Sequence, residues 1–424
     1  MYIEYDGTIY RTIKSLKFSP RVDIIGNELA INDFTAEIVT KYNRITIGSV
    51  VNLCGDIGHT WARYRATEVK KLSPGVVSIK CQSDILILDR KKMPAMICAD
   101  TSGKSIIQSC FVMFGLNVNI DEDVPDVNIN GYLPAQTARQ RLQWVCFVMG
   151  AYVQSFFNTR TTIKKIDTTA TNIPENKVFY RPKISYKDYV TAVTATAYSY
   201  TQGTPSSTDE WIKVGGVTYI QTSQTASLSN TSAPSGTPDN IVDLSGITIV
   251  NESNISSILS RLAAEYFNRE QLSADILTGR EVKPADKIQI FDGVEDVIKG
   301  YVKSMNFTFG KASKAAIVLT QTTTEKAVKV VLDYKYDGIT IDTETFRFPK
   351  NTSFELQNSY IDKTEQARRR VYLPLTQTTT GNTGTRDVTT KVVNCDVALE
   401  YEDNTLLTLS VDSADLSSEV VTIA

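Results

Sequence analysis

The sequence predicts a mainly β chain with an α+β insert: two related β-barrel domains, a small helical α+β module and a C-terminal β domain. Three observations predict this. Short alternating apolar runs, separated by turn residues, dominate both ends of the chain. Three stretches with helical periodicity and helix-start signals interrupt them, two near residues 100–150 and one at 253–268. A pattern of three apolar runs in 47–80 returns in 285–319.

The 424 residues exceed what one core organises, at about 100–200 residues per domain, so three or four modules are expected. The boundaries read as 1–98 (N-terminal β-barrel), 99–182 (α+β module), 183–326 (β-rich region with the second barrel) and 327–424 (C-terminal β domain). Residues 1–95 carry the runs Tyr2–Tyr5, Phe34–Val39, Ser49–Leu53 and Val76–Lys80, with turns at Asn32-Asp33 and Ser73-Pro74-Gly75. Next, Ser102 can cap a helix with the stripe Ile106, Ile107, Cys110, Phe111 and Phe114, stopped by Gly115. A second helix spans about Ala135 to Met149, with the stripe Ala138, Leu142, Val145, Cys146 and Met149 and the stop Gly150. The segments Tyr152–Phe156 and Thr161–Ile166 then read as a hairpin.

Further on, Lys187–Tyr200 alternates as a strand, and Trp211–Thr222 reads as a hairpin with Gly215-Gly216 as its turn. Ser223–Asn240 reads as an exposed Ser/Thr/Pro/Gly loop. The third helix, 253–268, gathers Ile255, Ile258, Leu259, Leu262, Ala263 and Tyr266 on one face. Strands return over Leu272–Gln321. In the last segment they are Lys329–Leu332, Gly338–Asp342, Val392–Tyr401 and Leu406–Val411, with a polar loop at Thr376–Thr385. The repeated pattern places Ile47–Leu53, Trp61–Val69 and Val76–Lys80 beside Ala285–Ile290, Ile298–Met305 and Ala315–Leu319. Matched spacing of the runs points to duplication of one meander.

Several function classes recede on composition. Lys and Arg total 45 against 47 Asp and Glu, so the basic excess of a nucleic-acid binder is missing. The run Arg368-Arg369-Arg370, flanked by Asp362 and Glu365, reads as a solvated face. No apolar stretch approaches the 18 or so residues of a membrane-spanning helix. The first residues lack the features of a signal peptide, so synthesis in the cytoplasm is expected. Cys54, Cys81, Cys98, Cys110, Cys146 and Cys395 fit neither a disulfide framework nor a zinc site, and read as small buried hydrophobes.

No constellation carries chemistry. His59, the single histidine, has no nucleophile or ligand near it in sequence. Ser102-Gly103-Lys104-Ser105 resembles the end of a phosphate loop, but Cys98 stands where that loop needs glycine. The cluster Asp121, Glu122, Asp123 and Asp126 lacks the spacing of a calcium loop and reads as a solvated turn before Pro125. No catalytic, cofactor-binding or metal-binding residues are therefore expected.

The order of modules resembles the tail-hub family of contractile phages, especially the hubs of Gram-positive myophages, defective prophages and phage-tail-like bacteriocins. Three passages carry the resemblance, over about residues 1–325. The first is the barrel ending in Trp61–Thr67 and Val76–Ile79. The second is Leu133–Val153, a small residue, a helix and then a Gly-Ala-aromatic strand. The third is the helix Arg261–Arg269 with the strands of Asp286–Gly300. The resemblance implies a homotrimeric baseplate hub, each subunit giving two barrels to a ring that joins a sixfold tail tube to a threefold spike. It implies the tube protein, a spike or needle protein and other baseplate subunits as partners. Its location would be a virion or phage-tail-like particle, assembled in the host cytoplasm. Two alternatives remain open: a tail-associated peptidoglycan hydrolase, and a cell-wall carbohydrate binder using Tyr334, Tyr336, Phe346, Phe348 and Tyr360.

Overall fold

Alternation sets the N-terminal strands. In β4 (Asp33–Val39) Phe34, Ala36 and Ile38 are buried while Asp33, Thr35 and Glu37 lie half-exposed, the signature of a strand with one face on a core. In order, β1 (Tyr2–Tyr5), β2 (Thr8–Tyr10) and β3 (Ile13–Phe18) precede it. β5 (Val50–Cys54), β6 (Thr60–Ser73) and β7 (Val76–Gln82) follow as an antiparallel meander. The computed structural model describes all residues except 27, 56–58, 180, 293–295, 310–312, 327, 337–338, 349–352, 358–374, 380–385, 391–393, 401–405, 413–417 and 423–424. From 328 on it describes backbone and strand pairing alone, and it leaves out the side chain of Glu175.

The insert follows: β8 (Lys92–Met93), β9 (Met96–Ser102), α1 (Gly103–Val112), β10 (Asn119–Ile120), β11 (Asn128–Leu133), β12 (Gln136–Thr137), α2 (Ala138–Met149), β13 (Ala151–Gln154) and β14 (Thr162–Lys165). α1 starts where Ser102 accepts from Ser105 N, and its stripe Ile106, Ile107, Cys110 and Phe111 is buried. α2 begins at Ala138, the first residue of its apolar stripe and three residues after the expected start at Ala135. Gln136 and Thr137 pair with Met93 and Lys92, and Thr137 and Gln140 then close a capping box, which satisfies two otherwise orphaned donors. Gly150 ends α2 at φ +66°. Leu142 has no exposed surface. Leu142→Ala is expected to cost about 2–5 kcal/mol in urea unfolding; a change within about 0.5 kcal/mol would mean the helix packs loosely.

The chain continues through β15 (Ala170–Ile173), β16 (Lys183–Tyr186), β17 (Ala192–Gln202), β18 (Glu210–Val214), β19 (Val217–Ser229), β20 (Ile241–Leu244) and α3 (Ile255–Tyr266). Then come β21 (Glu270–Leu277), β22 (Lys287–Phe291), β23 (Asp296–Thr308) and β24 (Lys314–Lys326). Two outcomes differ from the sequence pattern. The strand expected from Lys187 starts at Ala192, and the loop expected over Ser223–Asn240 is strand as far as Ser229. Hydroxyls support that extension: Thr196 pairs with Thr225 at 3.0 Å within it, and Ser199 pairs with Thr222 at 2.6 Å just before it. Such Thr–Thr and Thr–Ser pairs stabilise a sheet without leaving an apolar alternation to read. Sheet β18-β19-β17-β20 packs through β17 on α3.

The largest sheet has 13 strands, and its main path runs β16-β21-β24-β23-β3-β4-β7-β6-β5-β1-β2. The two segments of the sequence repeat supply β5, β6 and β7 on one side and β22, β23 and β24 on the other. β23 and β24 are neighbours along the path, as β6 and β7 are. Among the described residues no strand covers the outer side of β2 or of β16.

The chain divides into two units, one of Met1–Ile288 and Lys299–Thr323, the other of Gln289–Ile298 and Thr324–Ala424. In the second, β25 (Val328–Tyr336), β26 (Ile339–Phe348), β30 (Asn394–Glu400) and β31 (Leu406–Asp412) form a sheet in the order β26-β25-β30-β31. β27 (Ser353–Gln357) pairs with β32 (Ser418–Thr422). β28 (Leu375–Thr379) pairs with β29 (Arg386–Thr390), so the loop expected from Thr376 is strand at its start.

Candidate functional site: the seam of the long sheet

The path crosses from its N-terminal half to its later half between β3 and β23, where Phe18 stands opposite Phe307. Past that pair the ladder resumes with Arg21 opposite Ser304, flanked by Val22 N→Lys303 O and Met305 N→Pro20 O at 3.0 Å each. A few backbone hydrogen bonds, each worth about 0.5–1.5 kcal/mol net, are a thin joint for so long a sheet. Side chains thicken it. Phe18 stacks on Phe307 at 5.9 Å and meets Trp61 and Phe157 edge-on at 6.3 and 6.1 Å. Trp61 meets Phe157, Phe307 and Phe309 edge-on at 5.0–5.3 Å. Edge-to-face and offset pairs of this kind add about 0.5–1.5 kcal/mol each beyond area burial.

Phe157 reaches the cluster from a left-handed backbone, φ +57°, a conformation that costs a bulky residue free energy. It is held from both sides: its N–H donates to Trp61 O at 2.7 Å, and its carbonyl accepts from Arg280 at 2.5 Å.

Buried and half-buried polar groups lie beside the seam and within the insert. Asn32 accepts from Arg21 N at 2.8 Å and donates to Ser155 Oγ at 3.0 Å. The Asp23 carboxylate accepts from Ile25 N and Glu28 N, yet burial, with Glu265 nearby, holds its carboxyl above the ordinary range. Glu265 of α3 is 6% exposed and accepts from Thr320 Oγ1 at 2.7 Å and Gln321 Nε2 at 3.2 Å. Arg141 of α2 is 2% exposed; it donates to Pro94 O at 2.6 Å and Pro134 O at 3.3 Å. Burial pulls its guanidinium below the ordinary range. These groups rigidify the module, since each buried charge is tied to neighbours by hydrogen bonds.

The residues singled out in the sequence are scattered. His59 is exposed just before β6. Its replacement by alanine is expected to move the unfolding free energy by less than about 0.5 kcal/mol and to leave any lytic activity of the particle intact; loss of that activity would overturn the reading. Ser102 and Lys104 do start a helix, but its first turn is filled by Asp126, which accepts from Ser102 Oγ at 2.8 and 2.9 Å and from Lys104 N at 3.1 Å. A carboxylate there complements the helix dipole and takes the position an anion would need. Asp121 is paired with Lys164 at 3.0 Å, while Glu122 and Asp123 are exposed. Cys54, Cys81, Cys98, Cys110 and Cys146 are free and buried. Arg368, Arg369, Arg370 and Tyr360 lie outside the described residues, as do the side chains of Tyr334, Tyr336, Phe346, Phe348 and Cys395. No helix among the described residues is long and apolar enough to cross a membrane.

No family model matches the chain, and no curated protein matches it by sequence. Solved structures do. A tail protein of Neisseria meningitidis MC58 superimposes with a TM-score of 0.55 at 10% identity, over 75% of this chain and 95% of that one. The 43 kDa tail protein of prophage MuSo2 from Shewanella oneidensis gives 0.53 at 10% identity, over 75% and 96%. The chain therefore has the fold of phage tail proteins, mainly β with an α+β insert, as its sequence indicates.

Proposed function

We propose that this chain is a structural protein of a phage-type tail, and within it the hub of the baseplate: a homotrimer joining a sixfold tail tube to a threefold spike or needle, in a virion or phage-tail-like particle. The observation that carries the reading is the long sheet. Two halves, each containing part of the repeated pattern, are bolted at an aromatic seam, and among the described residues no strand pairs with the outer edge of β2 or of β16. Open edges are a hazard that rings remove, and closed rotational symmetry is the usual form of a homo-oligomer. Two similar halves per chain and three chains per ring would present six similar surfaces to a sixfold tube. On this reading the sequence divides at 98, 182 and 326 into barrel, insert, second barrel and terminal domain, and the two barrels superimpose only approximately. Its fold likeness to two tail proteins supports the coarser statement.

The chain would act by shape, without cofactor, metal or catalysis. Native mass measurement of the purified chain, with cross-linking inside the intact particle, tests this: three copies are expected. A dimer, six copies, or no self-contact in the particle would overturn the trimer. Incubation with purified cell walls separates the alternatives, since clearing would mean a hydrolase and co-sedimentation a carbohydrate binder.

A further inference from the structure

β10 and β14 run parallel, Asn119 opposite Thr162 and Ile120 opposite Ile163. Both strands therefore start at one end and finish at the other, and the short pair has a front and a back. At the front, Asn117 and Thr159–Thr161 border a groove whose other side is Arg63 and Arg65 of β6 with Asp84. Arg65 is fixed there, its Nε donating to Asp84 Oδ1 at 2.7 Å. Arg63 and Arg160 are exposed, and neither guanidinium has a carboxylate partner among the described residues. The groove thus gathers three guanidiniums and one carboxylate.

At the back, β10 runs into the acidic residues 121–123 and β14 into Lys164 and Lys165. Asp121 is taken by Lys164 and Asp126 by the start of α1. The carboxylates of Glu122 and Asp123, at the tip of the turn, are exposed and have no cationic partner among the described residues. Lys165 is the exposed cation on the neighbouring strand. Three or four extended residues separate front from back, about 10–15 Å at 3.3 Å per residue. That distance keeps one copy's turn out of its own groove.

We infer that the groove of Arg63, Arg65 and Arg160 receives the Glu122–Asp123 turn of the next copy of this chain. The inference rests on the ring reading above and names the surfaces that give the ring its direction. A head-to-tail ring needs two different, complementary patches on every subunit, and this chain carries both on one strand pair. Arginine suits the role because its planar fork grips a carboxylate bidentately. Charge pairs at such a joint steer encounter and fix register more than they add affinity, leaving the sheet edges to supply the buried contact.

The test uses charge reversal on exposed positions. One chain carries Arg63→Glu with Arg160→Glu, a second Glu122→Arg with Asp123→Arg, and a third all four changes. Sedimentation across a range of protein and salt concentrations reads assembly, and thermal unfolding checks that each variant folds. Each two-site variant is expected to dissociate at least about tenfold more readily than the parent, because like charges now meet. The four-site variant, with both signs reversed, is expected to recover assembly. If both two-site variants assemble as the parent does, the groove inference falls while the ring reading stands. Weakening without recovery in the four-site chain also refutes the pairing. A parent chain that is monomeric at every concentration and uncross-linked in the particle overturns both.

Discussion

Phe18→Ala is expected to destabilise the first unit by about 3–5 kcal/mol, the usual range for a fully buried phenylalanine. Phe18 has no exposed surface and touches Phe307, Trp61 and Phe157. Its loss removes the stacked pair that spans the seam and leaves Trp61 and Phe157 facing a hole. Phe18→Leu keeps much of the volume and should cost markedly less. Urea unfolding measures the difference, and limited proteolysis locates it: new cleavage is expected in the segment after Phe18. A loss under about 1 kcal/mol would mean the backbone pairs past Arg21 hold the halves by themselves.

The second large effect is expected at Gly131. Its φ of +129° lies in a region that L side chains rarely adopt. It also follows an irregularity in the β9–β11 ladder, between Ile129 and Gly131. A Cβ there would stand 2.6 Å from Thr248 O and 3.0 Å from Ile249 Cα. Both are backbone atoms, and the passing segment is pinned, with Tyr132 N donating to Thr248 O at 3.1 Å and Thr248 Oγ1 donating to Tyr132 O at 2.5 Å. Gly131→Ala should therefore cost more than about 3 kcal/mol, combining strain with displaced backbone. Gly7, with φ +71° and open space around it, is the control: alanine there carries the conformational penalty alone, about 1–2 kcal/mol. Equal losses at the two sites would show that the close approach to Thr248 is relieved cheaply.

What the sequence made legible follows from which forces leave a local trace. Alternation exposed β4 and β7, and apolar stripes exposed α1, α2 and α3, the first two with a cap or a glycine stop, because burial on one face imposes a period. The polar extension of β19 left no such trace, since its support includes a hydroxyl on β17, 29 residues away. The charged core groups were not singled out. Arg141 stands three residues after Ala138 and four before Val145, and Glu265 stands three after Leu262, so both do occupy inward positions of their helices. What periodicity cannot supply is the acceptor: the carbonyls of Pro94 and Pro134, or the hydroxyl of Thr320. The seam was invisible for the same reason. Phe18, Trp61, Phe157 and Phe307 are far apart in sequence and converge only through the order of strands in the sheet.

The five buried thiols have a practical consequence. Burial pushes the Cys110 thiol up to about 12 and holds Cys54, Cys81, Cys98 and Cys146 above the ordinary thiol range as well. Because the thiolate is the reactive form, a thiol so raised is almost wholly protonated and unreactive at pH 7, even before access is considered. These five thiols should therefore resist oxidation in air and ignore a brief pulse of alkylating reagent while the chain is folded. Labelling at Cys110 or Cys146 then happens only when the helical core opens, so the rate of mass gain under mild reagent is a clock for that opening, readable in the isolated chain and inside an assembled particle alike.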